Sequence, residues 1–391
     1  SGALSTNTSS SHNTAIGKGA LNANTDGTEN TAVGKDALLS NNTGHSNTAT
    51  GEASLGSNTT GSANSALGRD ALASNTTGSN NVAVGLNALR DNTTAGNNTA
   101  IGHSALILNT TGSENTAVGK SALGATTTGS YNTAVGYNAG DTITTAQSNT
   151  LMGYETGQAL TDSESNAFFG MQAGYASTTS DNNTFIGWRA GFANTTGTEN
   201  AFFGKSAGST TTTGSYNVLV GSGISTVGAT SSNAQGFGYN LSCSDNYTTI
   251  GQGTGDIRAE HGVATWATVS DERVKKDIED ATVGLEFIND LRPVTFNYKN
   301  KGDLPENFKG YEEGSTEVYK NSKSQHGFIA QEVKAAIDKH SDIKDGFGMW
   351  DDNDETGQQR VGETALIPML TKAVQELSAK VEELENKLNK E

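Results

Sequence analysis

The chain has 391 residues and a net charge of -17, with 48 glycines, 3 prolines and 1 cysteine. This acidity argues against a nucleic-acid groove or an anionic membrane surface as a partner. No apolar run reaches the roughly 18 residues that a membrane-spanning helix needs, and a single cysteine, Cys243, excludes an intrachain disulfide framework. We expect Cys243 to be a small core residue.

A 17-residue repeat dominates the N-terminal part of the chain. The motif Asn-Thr-Ala-x-Gly begins at Asn13 and recurs at every seventeenth residue up to Asn217, with no insertion. A short, strict period rich in glycine, asparagine and threonine is typical of a β-solenoid, in which each repeat forms one coil. The same composition disfavours helix, because these residue types are poor helix formers.

The repeat unit 115–131 shows what each coil is expected to contain. Residues 115–118 predict a short strand, and Gly119 predicts a corner, where glycine supplies unusual backbone angles. We expect a second short strand at 121–123 and a return turn at 128–130. Coils stacked at the strand spacing of about 4.8 Å form a rod.

Two features of the repeat bear on packing. The third and fourth residues of each motif are mostly apolar and point to opposite faces of a strand, so one face fills the coil and the other needs a partner. Early copies pair alanine at position three with leucine at position nine, as in Ala83 and Leu89, whereas later copies invert the sizes, as in Phe185 and Gly191. Close packing then predicts that positions three and nine touch.

Position six of four successive copies carries a stripe of large side chains, Tyr137, Tyr154, Met171 and Trp188. Stacked coils align them along one edge. Such a stripe could bind a glycan or another receptor surface, with Tyr137, Tyr154 and Trp188 as the receptor-binding residues. The plainer interpretation is that it packs within an oligomer, as aromatic side chains in a core do.

The Asn-x-Ala-x-Gly core over roughly residues 10–221 resembles the head repeats of YadA-type trimeric adhesins and related repeats in bacteriophage tail fibres. The resemblance implies a parallel β-roll wound into a homotrimer. We therefore expect a mostly β fold, with a trimeric parallel β-solenoid shaft over 1–221. Residues 222–265, where the period breaks, are expected to form degenerate coils, a cap and a linker.

Composition changes near Ala264, where charge rises and glycine falls. The sequence beyond it predicts a strand at 294–298, an extended polar loop at 301–325 and a strand-to-helix segment at 327–337. The last helix has apolar residues spaced alternately by three and four, which is a heptad seam: Ile367, Leu370, Val374, Leu377, Val381, Leu384 and Leu388. This spacing favours a trimeric coiled coil over 366–390; the alternative is an amphipathic helix on a globular core.

Three stretches of this region together form a specific sequence signature, namely 270–278, 326–333 and 366–370. They resemble the intramolecular chaperone domain at the ends of phage tailspikes and tail fibres, also called the peptidase S74 domain. The resemblance covers 266–391 and implies an α+β domain that trimerises the preceding fibre and then releases itself in a single-turnover cleavage.

By that resemblance Ser270 is the nucleophile, Lys275 is the general base and the Val269–Ser270 bond is cleaved. The chemistry is reasonable, because a serine hydroxyl is a weak nucleophile until a base takes its proton. A lysine can serve if burial or nearby positive charge lowers its pKa, and Arg273 and Lys276 flank Lys275. A five-residue offset requires a bend, or another subunit, to bring the two side chains together.

These observations predict a phage tail fibre fragment, made in the host cytoplasm, that binds a glycan or protein receptor at the bacterial surface. Its partners are two copies of itself and that receptor; no nucleic acid, membrane insertion or cofactor is expected. No metal site is predicted, because the 6 histidines form no ligand cluster. The alternatives are a bacterial trimeric surface adhesin and a tailspike that degrades polysaccharide.

Overall fold

The computed structural model divides into two compact units, Ser1–Ser270 and Asp271–Glu391. The residues that it describes are 2–7, 9–263, 266–268, 270–308, 310–343, 347–351 and 359–389. Within these residues, none of the helices combines the length and the apolar character needed to cross a bilayer.

The first unit is a parallel β-solenoid. Each motif forms one three-residue strand that pairs in parallel with the strands of the coils before and after it, for example with Ala100 opposite Ala117. The predicted motif strand and the predicted fold class are therefore confirmed. Strands β1 to β13 are Thr14–Ile16, Thr31–Val33, Thr48–Thr50, Ser65–Leu67, Val82–Val84, Thr99–Ile101, Thr116–Val118, Thr133–Val135, Thr150–Met152, Ala167–Phe169, Thr184–Ile186, Ala201–Phe203 and Val218–Val220.

The second strand predicted at 121–123 does not form. Ser121 and Leu123 have φ values of 56° and 51°, in the left-handed region, so the chain turns instead of extending. The segment still forms a hydrogen bond with the next coil, because the Leu123 N–H donates to the Ala139 carbonyl at 3.0 Å. Gly119 makes the predicted corner with φ +136°, and a Cβ there would lie 2.3 Å from the Gly136 carbonyl oxygen.

The predicted contact between positions three and nine is confirmed. A Cβ built on Gly191 would lie 2.4 Å from Cε2 of Phe185, so glycine makes room for the ring of the same coil. Phe185 is fully buried and stacks on Phe168 and Phe202 of the adjacent coils, with ring centroids 4.7 and 4.9 Å apart. In early coils Ala83 and Leu89 fill the same space and are also fully buried.

Asparagine ladders complete the core. The Asn98 amide donates to the Gly112 carbonyl at 2.9 Å, and its Oδ1 accepts from the Asn115 N–H at 2.9 Å. A second ladder at position twelve joins Asn92 to Asn75 at 2.8 Å. The Oδ1 atoms of Asn109 and Asn194 are exceptions without a partner. Because most of these buried amide groups find partners in adjacent coils, a chain that is only 33% hydrophobic can still form a core.

Beyond β13 the solenoid continues with parallel strands and ends in antiparallel strands. The strands are β14 Ser225–Thr226, β15 Gln235–Tyr239, β16 Ser242–Cys243, β17 Tyr247–Gln252, β18 Gly255–Glu260 and β19 Ala267–Thr268. β15 pairs with β13 in parallel and β17 with β15, whereas β18 and β19 run antiparallel to their neighbours. The 17-residue step therefore continues for one coil beyond 221 before it shortens. Cys243 is fully buried, as predicted, and burial raises the pKa of its thiol to about 11.

The second unit combines short helices and hairpins. The helices are α1 Leu285–Asp290, α2 Ala330–Ile337 and α3 Leu366–Leu388, and the strands are β20 Val294–Phe296, β21 Gln325–Gly327, β22 Trp350–Asp351 and β23 Arg360–Val361. β20 pairs with β21 and β22 with β23, both antiparallel. The core gathers Phe287 of α1, Val333 and Ile337 of α2, Met349, and Leu366 of α3.

The segment 301–325 was predicted to be an extended loop, but it folds back on itself. It begins with a 3-10 turn, Lys301–Asp303. The Lys301 N–H donates to the Glu317 carbonyl at 2.7 Å, while the Lys301 ammonium group contacts the carboxylates of Glu312 and Glu317 at 2.9 and 2.8 Å. One lysine thus ties the start of the segment to residues 312–317.

Candidate functional site

The predicted nucleophile and base lie on either side of a unit boundary. Ser270 is exposed and is the last residue of the first unit. It follows β19, which pairs with β18 through Ile257 opposite Thr268. Lys275 is also exposed and lies in the second unit, directly after a 3-10 turn, Glu272–Val274. Val269, on the other side of the predicted scissile bond, lies outside the described residues.

The turn between Ser270 and Lys275 is built by Asp271. Its carboxylate caps the turn by accepting the Arg273 N–H at 2.9 Å, and it also accepts from Nε of the Arg273 guanidinium at 2.9 Å. The Lys275 N–H closes the turn by donating to the Glu272 carbonyl at 3.0 Å. A capped 3-10 turn therefore lies directly before Lys275, and the pairing of Lys275 with Ser270 stays a prediction.

The electrostatics of this turn differ from the sequence-based expectation. The hydrogen bond with Arg273 lowers the pKa of Asp271, and the same bond raises the pKa of Arg273. Because Asp271 neutralises Arg273, that guanidinium contributes little of the positive field expected beside Lys275. Lys276 has a weaker partner in Asp277, at 4.0 Å.

The second motif, 326–333, supports the domain core. Its strand β21 places Gly327 opposite Val294 of β20, and its helix buries Val333. The Glu332 carboxylate pairs with the guanidinium of Arg292, which lies just before β20. His326 is exposed, and its Nδ1 lies 3.2 Å from the Thr295 hydroxyl. The motif thus positions elements by packing and pairing.

Residues 270–342 match the family model described as chaperone of endosialidase, Peptidase_S74. The family's designation implies self-cleaving peptidase activity in general. Together with a β-solenoid of 17-residue coils, this match fits a phage tail fibre or tailspike that carries an intramolecular chaperone domain. No match to a curated protein was found, and none to a solved structure.

The heptad seam follows the chaperone-of-endosialidase match in the sequence, and it has no partner within its own described unit. Exposure of the seam residues ranges from 45% at Leu370 to 77% at Leu388. A different face of α3 packs on the core through Leu366 and Ala373, and Glu376 accepts the Leu285 N–H at 2.9 Å. The helix therefore contacts the globular core with one face and leaves its apolar seam open.

A second exposed apolar surface lies on the solenoid. It consists of the fourth residue of each motif, which we call the outer ridge. Its more exposed members range from 36% at Phe203 to 61% at Ile16 and include Leu67, Ile101, Met152, Ile186 and Val220. The neighbouring third residues are buried from Ala32 onward. The outer face also carries the second residue of each motif, mostly threonine, and the ridge position of β3 is Thr50, so this face is partly apolar and is not covered.

The predicted stripe forms a real stack. The rings of Tyr137 and Tyr154 are parallel, with centroids 5.3 Å apart. Trp188 lies further along, 41% exposed, with Arg189 and Lys205 both 5.4 Å from its ring centroid. The sequence alone could not show that two cations lie beside Trp188, because only the fold places Arg189 and Lys205 about one ring. No cluster of metal-ligating residues occurs within the described residues.

Proposed function

We propose that this chain is part of a phage tail fibre that assembles as a homotrimer and then releases its C-terminal region by cleaving the Val269–Ser270 bond. The observation that carries the proposal is the chaperone-of-endosialidase match, which begins at residue 270. The first compact unit ends at the same residue. Cleavage there separates the solenoid from the region that assembled it.

Homotrimer formation is supported by the two uncovered apolar surfaces. Burying a leucine side chain contributes about 1.5–3 kcal/mol, and the seam offers seven apolar residues on each chain, from Ile367 to Leu388. The outer ridge offers a second row along the solenoid. Assembly through the seam sets the chains in register, and the ridges then pack against one another coil by coil.

The cleavage chemistry follows from the position of the nucleophile. The Ser270 hydroxyl attacks the carbonyl carbon of Val269, and the neutral Lys275 amine takes the hydroxyl proton. The carbon–nitrogen bond then breaks, and the Ser270 nitrogen receives that proton from the lysine. The chain is now joined through an ester, because Ser270 lies on the amine side of the bond that it attacks. Water hydrolyses this ester, giving a carboxylate on Val269 and a free hydroxyl on Ser270.

Lys275 must be neutral to act as a base, and an ordinary lysine is protonated at neutral pH. A five-residue offset does not by itself bring the two side chains together, so a neighbouring copy is proposed to complete the site. Cleavage is then coupled to assembly, so that only trimers release the chaperone region.

A denaturing gel tests the proposal. The wild-type chain is expected to yield the fragment 270–391, while Ser270→Ala and Lys275→Ala remain whole, because removal of either group of a nucleophile–base pair costs several orders of magnitude in rate. Ser324→Ala and Lys323→Ala are matched controls, since both residues are exposed and lie in the second unit, and both variants should cleave. Cleavage by Ser270→Ala would exclude Ser270 as the nucleophile.

After release, the trimeric solenoid is proposed to act at the bacterial surface, where it binds a host receptor. The proposed site of assembly is the cytoplasm of the infected host. Supporting this role, the solenoid carries a group of exposed aromatic side chains at the same motif position of nearby coils, Tyr137, Tyr154 and Trp188.

A further inference from the structure

The aromatic stripe changes the residue type at motif position six, where packing inside the coil does not dictate which side chain is present. Positions three and nine exchange volume because they share a buried space, whereas position six faces outward. In the other coils position six holds mostly polar or charged residues, such as Lys35, Glu52 and Arg69, and Leu86 is the apolar exception. Large exposed side chains gathered in a few coils therefore need a reason other than packing within the coil.

Much of the ring face in the stripe is already in contact with other groups. Tyr137 and Tyr154 stack on each other at 5.3 Å, and the Lys120 ammonium from the preceding coil lies 5.6 Å from the Tyr137 centroid. Arg189 and Lys205 lie about the Trp188 ring. These contacts compete with a neutral sugar that would stack on an aromatic face. The three aromatic side chains remain 40–45% exposed, so their edges and hydroxyl groups are open to a ligand.

These outward groups attract negative charge. The edge of an aromatic ring is the positive part of its quadrupole, and the face is the negative part. Cations held over the faces satisfy the negative part. The Arg189 guanidinium is held between Trp188 and Phe192, 3.7 Å from the centroid of the Phe192 ring, so its position is fixed before any ligand arrives.

In the part of the chain that the structure describes, no carboxylate neutralises the two cations beside Trp188. Lys35, Arg69 and Arg90 on other coils each pair with a carboxylate, at 2.9, 3.2 and 2.7 Å. Arg189 and Lys205 lie against aromatic rings, with no carboxylate paired to them within the described residues. Lys18 and Lys120 also lack such a pair, so this place is marked by two cations gathered about one ring.

The acidic group nearest in sequence is already engaged. Glu155 follows Tyr154, and its carboxylate raises the pKa of the Tyr154 hydroxyl. The Gln172 amide donates to the same carboxylate at 3.0 Å. Glu155 is therefore held within the middle coils of the stripe, while Arg189 and Lys205 form its positive end.

We infer that the stripe binds an acidic polysaccharide, with Arg189 and Lys205 holding its carboxylate or phosphate groups and the tyrosine edges and hydroxyls contacting its sugars. A surface that repeats coil by coil suits a linear polymer whose groups also repeat. Complementary charge favours this ligand over a neutral one. The inference rests on the receptor-binding role proposed above and names its site and ligand class.

Calorimetric titration with alginate, a carboxylated polysaccharide, and with uncharged dextran tests this inference on the full chain. The wild type is expected to bind alginate more weakly as salt is added and to ignore dextran. Arg189→Gln with Lys205→Gln should weaken alginate binding roughly tenfold or more, since both charge-assisted contacts are lost. The matched control is Lys35→Gln with Arg69→Gln, which removes two cations from distant coils and should leave binding unchanged.

Failure to bind alginate, equal binding of dextran, or an undiminished affinity in the double variant would each overturn the inference. Lys205→Gln alone guards against misfolding, because Lys205 is exposed, and it should still weaken binding. A double variant whose oligomeric mass changes instead would make the stripe an interface between copies. A sample that forms trimers and cleaves itself but does not bind alginate contradicts this inference alone. A sample that neither forms trimers nor cleaves itself contradicts the proposed function.

Discussion

Replacing Leu377 by aspartate is expected to convert the assembled protein into single chains that no longer cleave themselves. Leu377 is 51% exposed at the centre of the seam and contributes nothing to the core of its own chain. Closing a trimer over this change would bury three carboxylates, and burying charges without partners costs several kcal/mol each. Sedimentation velocity measures the loss of assembly, and a denaturing gel measures the loss of cleavage.

Ala379→Asp is the matched control for this substitution. It places the same residue two positions further along the same helix, at an exposed site away from the seam. The cost in helix propensity is similar in both variants, so only the position differs. Ala379→Asp should assemble and cleave like the wild type. Trimers of Leu377→Asp that are as stable as the wild type would rule out the seam as the assembly surface.

Replacing Gly191 by leucine is expected to destabilise the solenoid strongly, and a second change, Phe185→Ala, should recover much of the loss. The new side chain starts 2.4 Å from the Phe185 ring, and overpacking of this kind costs about 1–3 kcal/mol or more. Phe185→Ala alone leaves a cavity and costs about 3–5 kcal/mol. The double variant recreates the pairing of Ala83 with Leu89, in which leucine occupies the same kind of position.

Thermal unfolding of the wild type, both single variants and the double variant measures the coupling directly. Backbone strain alone does not explain the expected loss, because Leu89 adopts φ 51° while Gly191 adopts φ 59°. Recovery should be incomplete, since the double variant removes the stacking of Phe185 on Phe168 and Phe202. If the two single losses simply add in the double variant, positions three and nine do not share a space.

The strands and the packing of the solenoid could be predicted because the repeat shows them thirteen times over. A strict period fixes the parallel register, and the exchange between Phe185 and Gly191 reveals a contact that one copy alone could not. The second strand at 121–123 was wrong for a local reason. Ser121 and Leu123 adopt left-handed backbone angles that the fold imposes, and serine and leucine are not residue types from which such angles can be predicted.

The second unit was less predictable, because nothing in it repeats. Helix α1 is only six residues long and begins without a side-chain cap, so no sequence signal marked it. The segment 301–325 looked extended because it is polar, yet Lys301 folds it through two carboxylates that are distant in sequence. Motifs with a family resemblance were easier to place than the elements between them.

The electrostatics of the candidate site could not be predicted from the sequence. The assignment of Ser270 and Lys275 rests on a motif and stays a prediction, and a motif does not reveal that Asp271 neutralises Arg273. The number of chains is likewise not fixed by the seam. Valine at Val374 and Val381 with leucine at Leu377 and Leu384 is a pattern that also suits two strands. The trimer rests on the resemblance of both parts of the chain to trimeric proteins.

Native mass spectrometry of the wild type beside Ser270→Ala tests the central claim most directly. Ser270→Ala should give one species with three times the mass of the 40.3 kDa chain. The wild type should give two smaller trimers instead, one of residues 1–269 and one of residues 270–391. A single chain or a pair of chains in Ser270→Ala would contradict trimeric assembly, and an uncut wild-type trimer would contradict self-release at Ser270.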